Sequence, residues 1–121
     1  MISLKKCAWI GGLMTAIGMV AGAQMDSRAT GFMSFMDESM KRMDTDMKSA
    51  PMNGNSDHDF ATMMMPHHQG AIDMAKAELI YGKDPVMRRL AEEIIVDQQS
   101  EIQAMQLWLS KQTSQSSTKE R

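Results

Sequence analysis

The sequence contains very little cysteine: Cys7 is the only one among its 121 residues. One cysteine cannot form a disulfide within the chain, so a small scaffold held together by disulfides is excluded. Cys7 also lies too early, and without the preceding small residues, to be a lipid-attachment site. Ligands for a metal ion must therefore come mainly from other side chains.

The sequence also lacks a long hydrophobic run. The longest, Ala8–Val20, contains several glycines and is shorter than the roughly 20 residues that a membrane-spanning helix needs. Two lysines precede it and Ala21-Gly22-Ala23 follows it, which is the pattern of a cleavable signal peptide. We predict a signal peptide over residues 1–23 and a periplasmic protein that begins at Gln24, without a thiol and without a stable membrane span. An uncleaved membrane anchor is the alternative.

The sequence has no excess of basic residues either. Removing Lys5 and Lys6 from the 13 basic residues leaves 11 against 15 acidic ones, a formal charge of −4. This balance argues against nucleic acid and anionic membrane surfaces as partners.

Methionine, in contrast, is abundant. The chain has 16 methionines, of which three precede Gln24, so 13 fall in the remaining 98 residues. In an oxidising compartment a thioether is harder to oxidise than a thiolate, and it binds a metal without losing a proton. The composition therefore favours soft-metal chemistry based on methionine.

The pattern of apolar residues and helix-ending residues predicts an all-α protein, an antiparallel bundle of three main helices. The first helix is predicted from Thr30 to Lys48, with Ser49–Ser56 as linker. The second runs from about Asp57, capped by Ser56 or Asp57, to Tyr81 before Gly82. The third begins at Asp84-Pro85 and ends near Ser110. Residues 24–56 and 57–110 form one domain in this interpretation, and residues 111–121 are a disordered polar tail.

The first predicted helix carries a stripe of methionines on one face. At about 100° per residue, one narrow sector contains Phe32, Met33, Met36, Met40, Met43 and Met47. Such a stripe is compatible with a packed core, although leucine would specify a core better than five thioethers do. Packing and metal binding both remain open for this helix.

The second predicted helix places a proline directly before two histidines. Pro66 has no amide hydrogen for the Thr62 carbonyl, which predicts a kink or local unwinding next to His67 and His68. The predicted buried face, with His68 at its edge, comprises Phe60, Met63, Met64, His67, Ala71, Met74 and Ala75.

The third predicted helix has polar residues within its apolar side. Gln98 and Glu101 lie among the apolar positions Val86, Met87, Leu90, Ala91, Ile94, Ile95, Ile102, Met105, Trp108 and Leu109. Counting from the Gly82 turn sets His68 level with Gln98, and Met64 or Met65 level with Glu101. Antiparallel packing of the first helix would bring Met36, Met40 and Met43 to the same height. Buried groups of this kind need partners, so they either satisfy one another or hold a metal ion.

The sequence resembles a known family at these positions. The motifs D-x-x-F, M-x-P-H-H-Q-G-A-I-D-M-A, D-P, L-A-x-x-I, Q-x-x-E-I and M-x-x-W-L are similar to the ferritin-like family catalogued as domain of unknown function three hundred and five. The likeness covers Asp57–Leu109 and leaves the methionine-striped helix outside. It implies a secreted helical protein, with several copper-associated relatives. The characteristic positions that it implies are Met64, His67, His68, Met74, Gln98, Glu101 and Met105.

Together these observations predict a protein that binds Cu(I), with Cu(II) and Ag(I) as further candidate ions, for sequestration, tolerance or transfer to another copper-transport protein. His67 and His68 are the expected primary ligands, and Gln98 and Glu101 either orient the imidazoles or ligate directly. The remaining soft donors are Met40, Met43, Met63, Met64, Met74 and Met105.

Two other functions are weighed against copper binding. A helical interaction module would use the methionines as a deformable groove for a partner helix. A ferritin-like metal oxidase is disfavoured because no E-x-x-H motif occurs, and H-E-x-x-H is absent too. We therefore do not expect an enzyme. The small predicted core makes a homodimer a reasonable expectation.

Overall fold

The computed structural model describes residues 27–119, with side chains up to residue 115. It contains three helices, α1 Ser27–Lys48, α2 Ser56–Tyr81 and α3 Pro85–Lys119, and no strand within this range. The predicted all-α class is confirmed. The predicted signal peptide, residues 1–23, lies outside the described residues.

Helix α2 is the central element, with α1 and α3 packed on it from different sides. Gly31 of α1 lies beside Tyr81 and Met43 lies beside Gly70, so α1 and α2 are antiparallel. Helix α3 is antiparallel to α2 on the side that carries His68, about 200° around the helix axis from Gly70. Among residues 27–119, α1 and α3 do not pack directly on each other. The predicted antiparallel bundle is therefore an open layer of three helices.

Side chains of the connecting segments fix where α2 and α3 begin. The N-cap of α2 is Asn55, one residue before the predicted Ser56, and its Oδ1 accepts hydrogen bonds from the amides of Asp57 and His58 at 3.0 and 3.1 Å. Asp84 caps α3 as predicted, accepting from the Val86 amide at 2.9 Å. Such caps satisfy amides that have no partner within the helix.

The carboxyl end of α2 is held by one arginine from each neighbouring helix. Arg28 of α1 donates to the carbonyls of Ile80 and Tyr81 at 3.4 and 3.3 Å. Arg88 of α3 donates to the Leu79 carbonyl at 2.6 Å. Cations at this end satisfy carbonyls without helical partners and favour the negative pole of the helix dipole.

Helices α1 and α3 are longer than predicted. Helix α1 begins at Ser27, three residues before Thr30, and α3 continues past Ser110 to Lys119, through most of the segment predicted to be disordered. No glycine or proline follows Ser110, so nothing in the backbone stops the helix. The hydroxyl of Thr113 donates to the Leu109 carbonyl at 3.2 Å within this extension.

The unwinding predicted at Pro66 does not occur. Helix α2 is continuous across this residue, with helical backbone on both sides. Proline removes one backbone hydrogen bond, to the Thr62 carbonyl, and packing on two sides is sufficient to keep the remaining turns helical.

Small side chains dominate the interior of the layer. The buried apolar residues in the described range are Ala61, Ile72, Ala75, Ala77 and Ala91. Glycine also sits at the contact between α1 and α2, where a Cβ added at Gly70 would lie 2.6 Å from Met43 Sδ. Helix packing here depends on close backbone approach, and the described part of the chain buries no large side chain completely.

One face of the layer, here called the polar face, is held by ion pairs. Its centre is Asp73, whose side chain is only 13% exposed. Its carboxylate oxygens lie 3.7 Å from Arg42 Nη1 and 3.0 Å from Lys76 Nζ, and Gln69 Nε2 donates to Oδ1 at 3.1 Å. The charges of this face are therefore already paired within the chain.

The opposite face, here called the apolar face, forms an open groove of about 350 Å³ between α1 and α3. Its lining residues are Phe32, Met36, Ala71, Met74, Ala75, Glu78, Met87, Leu90, Ala91 and Ile94. The predictions that Phe60 of α2 and Val86, Met87 and Leu90 of α3 are buried were wrong: these residues are 63, 65, 47 and 46% exposed. The reason is that α1 and α3 flank α2 without covering this side of the layer, so Met74 of α2 and Met87 and Leu90 of α3 lie at the open groove.

Candidate metal site

His68 is the buried polar group at the contact between α2 and α3. It is 8% exposed, and its Nε2 lies 2.5 Å from Glu101 Oε2. Gln98, one turn earlier on α3, donates from Nε2 to the same carboxylate oxygen at 3.4 Å. The predicted meeting of one imidazole with both polar residues of α3 is thus present.

Glu101 itself is not buried, contrary to the prediction. Its side chain is 56% exposed, and only its contact with His68 reaches inward. Solvent covers the rest of its carboxylate. Its ionised form therefore needs no metal ion to compensate for burial.

The second nitrogen of His68 has no partner. Nδ1 is buried and forms no hydrogen bond with any described residue. A neutral ring that donates from Nε2–H to Glu101 carries a lone pair on Nδ1, and a buried acceptor without a partner costs roughly 1–3 kcal/mol. Carboxylates hold metal-ligating imidazoles in this way, fixing the tautomer and orienting the free nitrogen. The arrangement is suited to presenting Nδ1 to a soft metal ion.

His67 occupies a different environment from its neighbour. It is exposed, and its ring centroid lies 5.9 Å from that of His68 in an edge-on orientation. Helical spacing places His67 on the same side of α2 as Ala71 and Met74, which line the apolar face. The two predicted primary ligands therefore differ in access: His67 faces the groove and His68 faces the packed interface.

The predicted thioether ligands are distributed around this region. Met40 is 44% exposed on α1. The half-buried ones are Met43, Met63, Met64, Met74 and Met105. Met43 packs on Gly70, two residues after His68, while Met74 lines the groove opposite Met36 of α1. Met43 therefore lies on the side of α2 away from His68, and the structure does not bring the α1 stripe to the His68–Glu101 pair.

In the described residues, histidine, cysteine and carboxylate side chains do not by themselves form a complete metal site. Within residues 27–119, no group of three or more histidine, cysteine, aspartate and glutamate side chains is placed to hold a metal ion. His68 and Glu101 form a pair, and any further ligands near them would have to be His67, an amide or thioethers.

His58 lies in the first turn of α2, next to the carboxylate that holds the preceding linker. Its ring contacts Asp59 Oδ1 at 3.1 Å, and the same carboxylate accepts from the amides of Asn53 and Gly54 at 2.8 and 3.0 Å. The hydrogen bond from Asn53, followed by that from His58, lowers the pKa of Asp59 from its usual 3.8.

Sequence reasoning did not single out Gly70. A glycine in the middle of a helix is itself a signal of close approach by a neighbouring element, and it follows the two histidines by two residues. Its lack of a side chain is what brings the methionine stripe against the histidine-bearing turn of α2.

None of the three described helices is both long and apolar enough to span a membrane.

The fold and the site define a small helical-layer protein with a buried carboxylate-bound imidazole beside methionine-rich surfaces. The chain belongs to the family described as a domain of unknown function, DUF305, whose profile matches residues 9–109. The predicted family resemblance is confirmed. The match also begins earlier than expected, so it includes α1.

A viral protein shares part of this sequence. An uncharacterized protein of Acanthamoeba polyphaga mimivirus is 43% identical over 49 residues, which is 40% of this chain. The matched segment spans 32%, about a third, of the length of that relative.

Proposed function

We propose that this protein binds Cu(I) in the periplasm and sequesters it or transfers it to another copper-transport protein. Cu(II) and Ag(I) are secondary candidate ions. Copper is the cargo in this proposal, and its handling contributes to copper tolerance without enzymatic turnover.

The observation that carries the proposal is the unpartnered Nδ1 of His68. The ring is anchored by Glu101 through Nε2, so its orientation is fixed before any ion arrives. Binding an ion at Nδ1 would satisfy the one buried side-chain nitrogen or oxygen that lacks a partner in the described range. The same atom would otherwise destabilise the fold.

The surrounding donors support a soft ion over a hard one. Imidazole and thioether together select Cu(I) or Ag(I), and Mg(II) favours carboxylate and water oxygens; imidazole with carboxylate alone would also accept Cu(II) or Zn(II). Met64 lies one turn before His68 on the same side of α2. Exposed His67 and Met40 offer accessible donors for receiving or releasing the ion.

The test is an anaerobic Cu(I) titration against a competing chromogenic chelator. His68→Ala should weaken Cu(I) binding by more than the roughly 10–100-fold typical of losing a residue that only orients a ligand. His58→Ala is the matched control, because His58 is on the same helix but bonds to Asp59. Equal affinities for wild type and His68→Ala would contradict the proposed site.

A helical interaction module is the second candidate, favoured by the exposure of the apolar face. Changing Met36, Met40 and Met43 to leucine separates the two functions. Leucine preserves apolar contact with a partner but has no sulfur, so it should weaken Cu(I) binding only if thioethers are ligands. Unchanged Cu(I) binding in this triple variant would remove α1 from the copper site.

A further inference from the structure

The apolar face exposes several large apolar side chains to solvent. Met87 is 47% exposed and Leu90 46%, and the groove that they line with Phe32, Met36 and Met74 is mainly apolar. Contiguous apolar surface of this kind usually marks an interaction site. On the polar face, in contrast, Asp73 pairs with cations from its own chain.

A single layer of helices cannot enclose a core. Stable domains consist of at least two packed layers, because each helix must bury its apolar side against another element. Here α2 has neighbours on two sides only, and the described core consists of four alanines and Ile72. A second layer over the apolar face would bury the larger side chains.

We propose that the second layer is another copy of this chain, related by a two-fold axis through the apolar face. Phe32 to Met47 of α1 extends about 24 Å, and three helices spaced 8–10 Å apart are about 28 Å wide. The whole layer, polar edges included, therefore spans on the order of 700 Å² in projection per copy. A stable interface requires roughly 600–1,000 Å² per partner.

The charges along the outer edge of α1 are self-complementary. Asp37, Lys41, Asp44 and Lys48 alternate in sign beside the methionine stripe and form pairs within the helix at 2.6 Å. An antiparallel copy of the same edge would set Asp37 opposite Lys48 and Lys41 opposite Asp44. In a two-fold contact, opposite charges would therefore face each other across the interface, as a self-complementary interface requires.

The proposal is tested by sedimentation equilibrium of the full chain over a range of concentrations, with a metal chelator present so that copper binding has no influence. The expected mass is twice that of one chain. Leu90→Glu should weaken association at least tenfold. The matched control is Leu107→Glu, which is 56% exposed but lies on the side of α3 opposite buried Ala91.

A crosslinking experiment covers the case in which Leu90→Glu does not fold. In a Cys7→Ser background, Ala71→Cys on the apolar face should crosslink to its copy with a short bismaleimide, and Gln69→Cys on the polar face should not. A helical monomer at every concentration would overturn the proposal, as it would mean that another segment or partner covers the face. Crosslinking through residue 69 alone, or equal loss of the dimer in both glutamate variants, would also overturn it.

Discussion

Replacing Gly70 by alanine tests how α1 packs on the histidine-bearing turn of α2. In an exposed helix interior this change stabilises a protein by about 1 kcal/mol, because glycine is the poorer helix former. Here the added Cβ would lie 2.6 Å from Met43 Sδ and 2.8 Å from Met43 Cβ. The Met43 Cβ is fixed to the α1 backbone, so rotation of the side chain alone cannot relieve the overlap.

Gly70→Ala is therefore expected to destabilise the protein, which is the reverse of the usual effect of this substitution. Overpacking of this kind costs about 1–3 kcal/mol, which exceeds the gain in helix propensity and leaves a net loss of about 1 kcal/mol. In a domain of this size the melting temperature should fall by about 4–8 °C. Met43→Gly removes the Cβ as well as the sulfur, so Gly70→Ala should stabilise the protein in that background, with a coupling of about 2 kcal/mol.

The measurement is urea unfolding followed by far-UV circular dichroism for the wild type, both single variants and the double variant. Stabilisation by Gly70→Ala in the presence of Met43 would refute the reasoning. It would mean that α1 does not approach α2 at Gly70.

Three further predictions concern single side chains. Glu101→Gln should leave the helical content unchanged and weaken Cu(I) binding about 10–100-fold in the chelator competition, because a neutral amide holds the His68 ring less firmly; unchanged affinity would argue against the orienting role. Asn55→Ala should lower the free energy of unfolding by about 1 kcal/mol through loss of the α2 cap, whereas a urea midpoint equal to that of the wild type would show that the cap is dispensable. Asp59→Asn should be less stable than the wild type at neutral pH, with the difference disappearing in acid. Folding lowers the pKa of Asp59, so the stability that its ionised carboxylate contributes is fully present above the unfolded pKa near 3.8 and is lost as the pH falls through the folded pKa. A difference in stability that persists under strongly acidic conditions would contradict this.

Local signals predicted the end of α2 and the beginning of α3. Asp84-Pro85 and Gly82 act through their own backbone and side-chain chemistry, so α3 begins and α2 ends where the sequence indicates. The relative heights of the helices followed from counting as well, since His68 was matched to Gln98 and bonds to Glu101 less than one turn away. Both inferences depend only on short-range geometry.

The buried face of α2 was not predictable in the same way. The large side chains Phe60 and Met63 suggested one side of this helix. The buried residues include small ones such as Ala61 and Ala77, which give a weak hydrophobic signal but allow close approach. Which side is covered depends on where α1 and α3 pack, and that is a property of the tertiary structure.

The identity of the nitrogen that binds copper tests the central claim most directly. Cu(I) is diamagnetic, so long-range ¹H–¹⁵N spectra of the imidazoles can be recorded with and without one equivalent of the ion. The account predicts that the His68 Nδ1 resonance shifts on Cu(I) addition while Nε2 stays protonated beside Glu101. A shift confined to Nε2, or unchanged His68 resonances in a protein with Cu(I) bound, would contradict it.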